Sequence, residues 1–348
     1  MEKALIAMSG GVDSSVAAYL MQTGGCDCIG GTMRMCETAA DPASDAQKIA
    51  DKLGIPLHIF DGTREFAASV MEPFIRSYEA GDTPNPCILC NKTIKFGLLL
   101  EKALELGCDR IVTGHYAQIR RDPETGRFLL KKAVDENKDQ TYFLACLSQE
   151  QLSRIRLPLG GLSKEQVRQI AEEQGFINAR KRDSQDICFI PDGDYKAFME
   201  RYTGKAYPGG DYLDLNGNVV GRHAGAVGYT LGQRKGLGIA MGAPVYVCAK
   251  DMDANTVTVG PDAALFSKVL WADDWNWGPF PSLTKPIRVL AKVRYRHKAQ
   301  PATVYPEENG IARVEFDEPQ RAITTGQAVV LYDGDTVVGG GTINVVGQ

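Results

Sequence analysis

An apolar run at residues 4–8 leads directly into Ser9-Gly10-Gly11-Val12-Asp13-Ser14-Ser15, and a helical run at 12–22 follows at once. A strand that turns through two glycines into a helix is the opening unit of a parallel sheet with helices on both faces. The turn also carries chemistry. Glycines let backbone N–H groups approach a phosphate, serines add hydroxyl donors, and a helix N-terminus favours an anion. Asp13 suits such a loop only if a cation such as Mg²⁺ lies beside the anion. There is no G-x-x-x-x-G-K-[ST] pattern, so the loop is not that of an ordinary kinase or GTPase.

The alternation continues. Residues 28–33 and 56–60 read as strands and 43–53 as a helix. Residues 64–80 read as a helix kinked or broken at Pro73, 91–106 as a helix ended by Gly107, and 110–113 as a strand. Residues 128–134 form part of a hairpin, and Ser163 to Gln166 is a capping box opening a helix that ends at Gly175. After about Lys205 the chain becomes rich in glycine, with turn dipeptides and short extended runs. Many short strands with Gly and Asp turns indicate small β-barrels. The expected class is α/β. A doubly wound parallel-sheet domain at 1–200 is followed by two small β-rich or β-barrel domains at 201–265 and 266–348.

Formal net charge is −4 and the isoelectric point about 5.7, so the molecule as a whole is no polycation. Residues 1–200 carry 24 Lys+Arg against 29 Asp+Glu, and 201–348 carry 15 against 14. Within the second part, Lys285, Arg288, Lys292, Arg294, Arg296 and Lys298 form a run with no acid between them. Such a stripe binds an anion or forms a solvated strand face. The N-terminal apolar run is too short for a signal peptide, and no stretch approaches the roughly 20 apolar residues that span a bilayer. A cytoplasmic location and reduced cysteines are expected, and the odd count of nine argues against a disulfide scaffold.

The segment TPNPCILCNKTIKF, residues 83–96, places Cys87 and Cys90 behind a Pro-Asn-Pro turn and ahead of a basic helical run. A Cys-x-x-Cys holds zinc, forms a redox disulfide, ligates an iron–sulfur cluster or moves sulfur. Zinc wants four ligands, and no second close pair has suitable spacing. Cys26 and Cys28 are only two apart, and Cys36, Cys108, Cys146 and Cys248 read as isolated buried or loop thiols. A nucleophilic thiol needs a positive or polar neighbourhood, which Lys92 and the helix opening near Asn91 are placed to supply.

SGGVDSS, TPNPCILCNKTIKFG, VTGHYAQI, KDQTYFL, SQDICFI, YTLGQRKGLGI and KVRYR occur in an order that resembles tRNA-specific 2-thiouridylases, the MnmA/TrmU family. The resemblance runs nearly the whole length. It implies a pyrophosphatase-type (PP-loop) ATP site, of the adenine nucleotide alpha hydrolase kind, with Mg²⁺. It also implies adenylation of O2 of the wobble uridine, followed by replacement of that oxygen with sulfur and release of AMP and pyrophosphate. The implied substrates are wobble-uridine tRNAs such as those for lysine, glutamate and glutamine. Sulfur would come from a cysteine desulfurase, a relay protein or free sulfide, and no membrane is involved. Ala7, Met8, Ser9, Gly10, Gly11, Val12, Asp13, Ser14, Met33 and Gly114 would contact ATP. Asn85, Pro86 and Cys87 would flank the base, and Lys138, Asp139, Gln140, Arg294 and Tyr295 would contact tRNA with His115 and Gln327 nearby. Cys90 would be the nucleophile and Cys188 the persulfide carrier, the two ending in a disulfide.

One departure matters. The commoner family pattern has an acid where this chain has Cys87. The change creates three thiolates, Cys87, Cys90 and Cys188, which suit a [4Fe–4S] cluster with one open iron. A persulfide relay and this cluster remain alternatives. Two other functions are weighed against thiolation. An ATP-dependent ligase would explain the loop but neither thiol site nor β-rich tail, and the remaining alternative is a non-catalytic RNA-binding protein.

Overall fold

The computed structural model describes residues 1–36, 42–181 and 187–347. The first unit contains β1 (Lys3–Ala7), β2 (Asp27–Arg34), β3 (Leu57–Asp61), β4 (Arg110–Val112), β5 (Gln118–Arg121), β6 (Phe128–Lys131) and β7 (Ile155–Arg156). Five of these form a parallel sheet in the order β3-β2-β1-β4-β7. Alternate side chains face opposite layers. Leu5 and Ile111 enter one core with Phe66, Phe74 and Ile94, while Ala4, Ile6 and Val112 enter the other with Val16, Ile49 and Val167. The strand order reverses between β1 and β4, and open α/β sheets bind ligands beyond the carboxyl ends of the strands at that point. The glycine loop leaves β1 and the Thr113-Gly114-His115 turn leaves β4 at this place.

Two helices depart from the sequence reading. The helix expected to kink or break at Pro73 runs on from Thr63–Phe66 to Glu72–Glu79 through a π-helical turn, Ala67–Met71. Proline lacks an N–H and its ring crowds the preceding turn, so widening that turn just ahead of Pro73 keeps the helix unbroken. The second helix starts earlier than expected. Pro86–Leu89 is already helical and continues as a π-helix, Cys90–Leu98, then as an α-helix, Leu99–Glu105. Gly107, at φ 70°, ends it in the left-handed conformation glycine favours.

The central unit has β8 (Gly210–Leu213), β9 (Val219–His223), β10 (Tyr246–Asp251) and β11 (Thr256–Gly260) in the order β10-β11-β8-β9, with β11 and β8 parallel. The last unit has β12 (Phe266–Trp277), β13 (Ile287–Lys292), β14 (Gln300–Pro306), β15 (Ala312–Arg321), β16 (Ala328–Asp333) and β17 (Thr336–Val346). Pairing of β12 with both β15 and β17 closes these six into a barrel around Leu270, Val304, Phe316 and Leu331. Closure removes the edges an open sheet would expose. The first unit's β5–β6 hairpin pairs with β17 at Thr336 and Lys131. Beside it, Asn276 Nδ2 donates to the carbonyls of Ala145 (2.7 Å) and Leu147 (2.9 Å). The barrel is thereby fixed against the unit that carries the loop and the cysteines.

Candidate active site

The glycine loop is held by its own side chains. Gly10 has φ 70°, and the Ser14 and Ser15 hydroxyls both donate to the Gly11 carbonyl, at 2.9 and 3.1 Å. Ser14 Oγ accepts from the Ser9 amide at 3.3 Å. Asn178, which sequence reasoning missed, is buried and donates to the Gly10 carbonyl (3.1 Å) and to Ser15 Oγ (2.9 Å). Its only sequence signal is an asparagine after the capping-box helix. Gly114 is required by contact: a Cβ there would lie 2.7 Å from the carbonyl carbon of Asp13 and 2.9 Å from the Ser14 nitrogen. Ala7, at the end of β1, and buried Met8 and Val12 carry the loop, and the Met8 amide donates to the Gly31 carbonyl at 2.8 Å. Met33, near the end of β2, is buried in the core. Asp13 accepts from the Tyr116 hydroxyl at 2.9 Å and from Lys164 Nζ at 2.7 and 2.9 Å.

Cys87 and Cys90 lie inside a helix, not ahead of one. Asn85 is its N-cap, its side chain accepting from the Cys87 amide at 3.2 Å. Three residues apart, the two thiols share a face one turn from each other. Cys87 is exposed, Cys90 buried and Cys188 exposed, and all nine cysteines are free thiols. Ser184, Gln185 and Asp186 of the SQDICFI motif lie outside the described residues.

Although the Cys87 and Cys188 residues reach the surface, the protein packed around their sulfurs strips away solvent; this raises the Cys87 thiol pKa, as full burial does for Cys90, and the Lys95 charge opposes it in both. Cys188 is pushed up to about 12 by burial and then by its neighbours Cys90, Cys36 and Cys87, again against Lys95. The group that favours the thiolates is therefore Lys95. Lys92, expected from sequence to do this, turns to Asp274 of the barrel at 3.3 Å. The winding explains the exchange. Residues i and i+5 diverge by about 140° in an α-helix, whereas the wider π turn, bonded from i+5 back to i, brings Lys95 toward the face of Cys90. Cys36, taken from sequence as isolated, joins this neighbourhood. On other faces of the helix, Lys92 and Phe96 join Cys146 in lining a cleft of about 580 Å³ against Trp275 of the barrel.

His115 joins the two halves. Its Nδ1 shares a 2.8 Å hydrogen bond with Thr113 Oγ1, and its ring lies 5.7 Å from that of Phe96. Burial, then the Lys95 charge, holds its pKa well below the ordinary value, so the imidazole is neutral.

The remaining candidates lie where the three units meet. Gln327 Nε2 donates to the Thr83 carbonyl at 2.6 Å, and the Thr83 amide to the Thr325 carbonyl at 3.0 Å, so the barrel holds the segment leading to buried Pro86 and Cys87. Arg294 donates to the Leu231 carbonyl (3.2 Å) and to Thr324 Oγ1, joining the central unit to the barrel. The Tyr295 ring packs against that of Phe143, tilted by 42° at 4.4 Å between centroids, with Lys292 Nζ 5.4 Å above the Tyr295 ring. Asp139 is buried, accepting from the Ala133 amide and the Thr141 hydroxyl, and Gln140 Oε1 accepts from the Tyr116 amide at 2.9 Å. Lys138 is half-buried. Arg288 is paired with Asp317, while Arg296 and Lys298 are exposed.

A family model described as a tRNA methyl transferase HUP domain matches residues 2–192. A tRNA methyl transferase PRC-barrel domain matches 196–261, and an aminomethyltransferase beta-barrel domain matches 267–343. The tRNA-specific 2-thiouridylase MnmA of Clostridioides difficile is 46% identical over 98% of this chain and 98% of its own. That of Heliobacterium modesticaldum is 48% identical over 98% of this chain and 92% of its own. A solved 4-thiouridine synthetase–RNA complex with bound ATP aligns at 19% identity and TM-score 0.37 over 55% of this chain and 45% of that one, too distant to weigh here. With family models covering all three units and relatives 46–48% identical over nearly the whole length, the chain belongs to the family of tRNA-specific 2-thiouridylases.

Proposed function

We propose that this chain is a tRNA-uridine 2-sulfurtransferase that uses ATP to replace O2 of the wobble uridine with sulfur. One observation carries the reading: a single turn adjoins both the glycine loop and the helix that bears Cys87 and Cys90. Gly114 packs on Asp13 and Ser14, and the next residue, His115, reaches Phe96 and the field of Lys95, which also covers Cys87, Cys90 and Cys188. A ligase needs the loop but no thiols, and a bare RNA-binding protein needs neither.

The chemistry divides along that turn. Amides of the loop and the first helical turn bind the phosphates of ATP, with Mg²⁺ beside Asp13. Uracil O2 attacks the α-phosphorus and pyrophosphate leaves, so that the oxygen becomes part of a good leaving group, AMP. A sulfur nucleophile then adds at C2 and AMP departs with the original oxygen. In a relay, the terminal sulfur of a Cys188 persulfide attacks C2. The Cys90 thiolate then attacks Cys188 Sγ, the S–S bond breaks, thiouridine is released, and a Cys90–Cys188 disulfide remains. Neutral His115 leaves Lys95 as the charge that favours the attacking thiolate.

Cys87 supports a second reading. Cys87, Cys90 and Cys188 are three soft donors in one electrostatic neighbourhood, a set that suits a [4Fe–4S] cluster. Among the described residues no three ligating side chains already converge as a metal site. These three would hold the cluster, which would supply sulfide from its open iron. Around the site, Asn85 and Pro86 flank the base, and Lys138, Asp139, Gln140, Lys292, Arg294, Tyr295 and Gln327 form or support the tRNA surface. The sulfur donor is a desulfurase, a relay protein or free sulfide, and the reaction is cytoplasmic. Among the described residues, no helix is long and apolar enough to cross a membrane.

The test is anaerobic incubation of the purified chain with unmodified tRNA, Mg²⁺-ATP and sulfide or a persulfide donor. The expected products are 2-thiouridine and AMP in equal amounts. AMP without tRNA-borne sulfur would favour a ligase, and neither product would favour a binding protein.

A further inference from the structure

The charge that neutralises the nucleotide loop comes from far along the chain. Lys164 is the first residue of the helix Lys164–Glu173, behind the Ser163 cap, and its side chain is 10% exposed. Its Nζ donates to both carboxylate oxygens of Asp13, at 2.7 and 2.9 Å, and lies 5.7 Å from the Tyr116 ring centroid. Tyr116 closes the group by donating to Asp13 Oδ1 at 2.9 Å. The position is costly for an ammonium. A helix N-terminus repels a cation, and burial removes the water that would solvate it. The two short bonds to Asp13 offset part of that cost. A bare carboxylate among amides meant for phosphate would repel ATP, while the same carboxylate is the natural first partner of a divalent ion.

We propose that Lys164 is a positioning residue that occupies the cation's place on Asp13 until the nucleotide arrives with its metal. This rests on the reading that the loop binds ATP. While the loop is empty, the Lys164 ammonium offsets the Asp13 charge and excludes a lone divalent ion. When Mg²⁺-ATP enters, the ion takes the carboxylate and the ammonium turns to the phosphates. The loop therefore rejects a lone divalent ion yet still admits the nucleotide, with or without its metal.

The experiment uses the full chain without tRNA, with Mn²⁺ alone followed by electron paramagnetic resonance and divalent-free ATP followed by calorimetry. In Lys164→Gln, shown folded by circular dichroism, Mn²⁺ alone should bind at least tenfold more tightly than in the parent. Divalent-free ATP should bind at least tenfold more weakly, and Mg²⁺ should recover most of that loss. Lys164→Arg, which keeps the charge, should resemble the parent in both. A purely structural lysine would weaken ATP equally with and without Mg²⁺ and leave Mn²⁺ unchanged, which would overturn the proposal. If Lys164→Gln does not fold, Asp13→Asn decides: it releases the ammonium, so divalent-free ATP should bind several-fold more tightly, and no gain would overturn the proposal. The Mn²⁺ measurement involves no nucleotide, so a parent that fails to bind Mg²⁺-ATP would instead sink the nucleotide reading.

Discussion

The proposed nucleotide loop and the proposed sulfur site adjoin the same turn yet are built in different ways. The loop is finished. Its serines, Gly10 and Gly11 are bonded to one another and to Asn178, and Gly114 leaves no room beside it. The proposed sulfur site is poised but unassembled: two of its cysteines reach the surface, the protein around the sulfurs raises all three thiol pKa values, and among the described residues no three ligating side chains converge. The difference follows from what each must bind. Phosphates are met by backbone donors whose geometry a packed fold can fix in advance. Sulfur has to arrive, react and leave, so its carriers must remain reachable and protonated until a substrate or a bound group draws them together.

The largest effect that would break this contrast is at the loop. Asp13→Ala should lower AMP formation by at least two orders of magnitude while tRNA binding, measured by filter retention, stays within about twofold. A variant with normal turnover would remove the loop from the chemistry. Next comes Cys87→Asp, prepared without oxygen and assayed for thiouridine and iron together. If a cluster is used, iron and thiolation should be lost in parallel, because iron–sulfur sites prefer thiolate to carboxylate, while ATP binding persists. Full activity without iron would end the cluster reading and leave the relay. Cys90→Ser and Cys188→Ser are expected to be inactive on either route and so cannot discriminate.

How much of this was visible beforehand also divides along the same line. The loop, the alternation of strands and helices and the capping box at Ser163 are written in short local patterns, and the strands and caps fall where those patterns place them. Lys164 and Asn178 reach the loop only through tertiary packing, and nothing in their immediate neighbours announces it. Lys95 was hidden for another reason. An α-helical wheel sets it well away from Cys90, and only the π winding reverses that, a choice made by packing against the first unit's core. Cys36 likewise becomes a neighbour of Cys188 by the meeting of two distant segments.

Lys95 sharpens the comparison at moderate size. Its charge lowers the thiol pKa values, so Lys95→Met should raise that of Cys90 and reduce its thiolate fraction near neutrality. Iodoacetamide alkylation of Cys90, read by mass spectrometry across pH, should slow several-fold at pH 7.5 and shift its profile to higher pH. Lys95→Arg should restore the parent profile. Cys188, whose pKa stands near 12, should alkylate ever faster up to pH 10 without levelling off in the parent. A plateau for Cys188 below pH 9 would mean that the sulfur site is as organised as the loop.

The smallest effect concerns the basic stripe, where the fold separates residues the sequence could only group. Arg288 is paired with Asp317, Lys292 lies over Tyr295, and Arg294 is bonded to Leu231 and Thr324. Arg296 and Lys298 remain exposed at the turn between β13 and β14. A phosphate contact releases counterions, and each one lost should reduce the slope of log affinity against log salt by about 0.7–0.9. Arg296→Ala with Lys298→Ala should therefore flatten the slope for tRNA by roughly 1.5, with little change in melting temperature. Arg294→Ala should do the reverse. It leaves the slope nearly unchanged and costs about 1–3 kcal/mol of stability, because it breaks partly buried hydrogen bonds that join the central unit to the barrel. Binding measured across salt, alongside thermal denaturation of the same variants, distinguishes the two roles. A slope that falls with Arg294→Ala and not with the exposed pair would place the tRNA backbone on the inner face of the stripe.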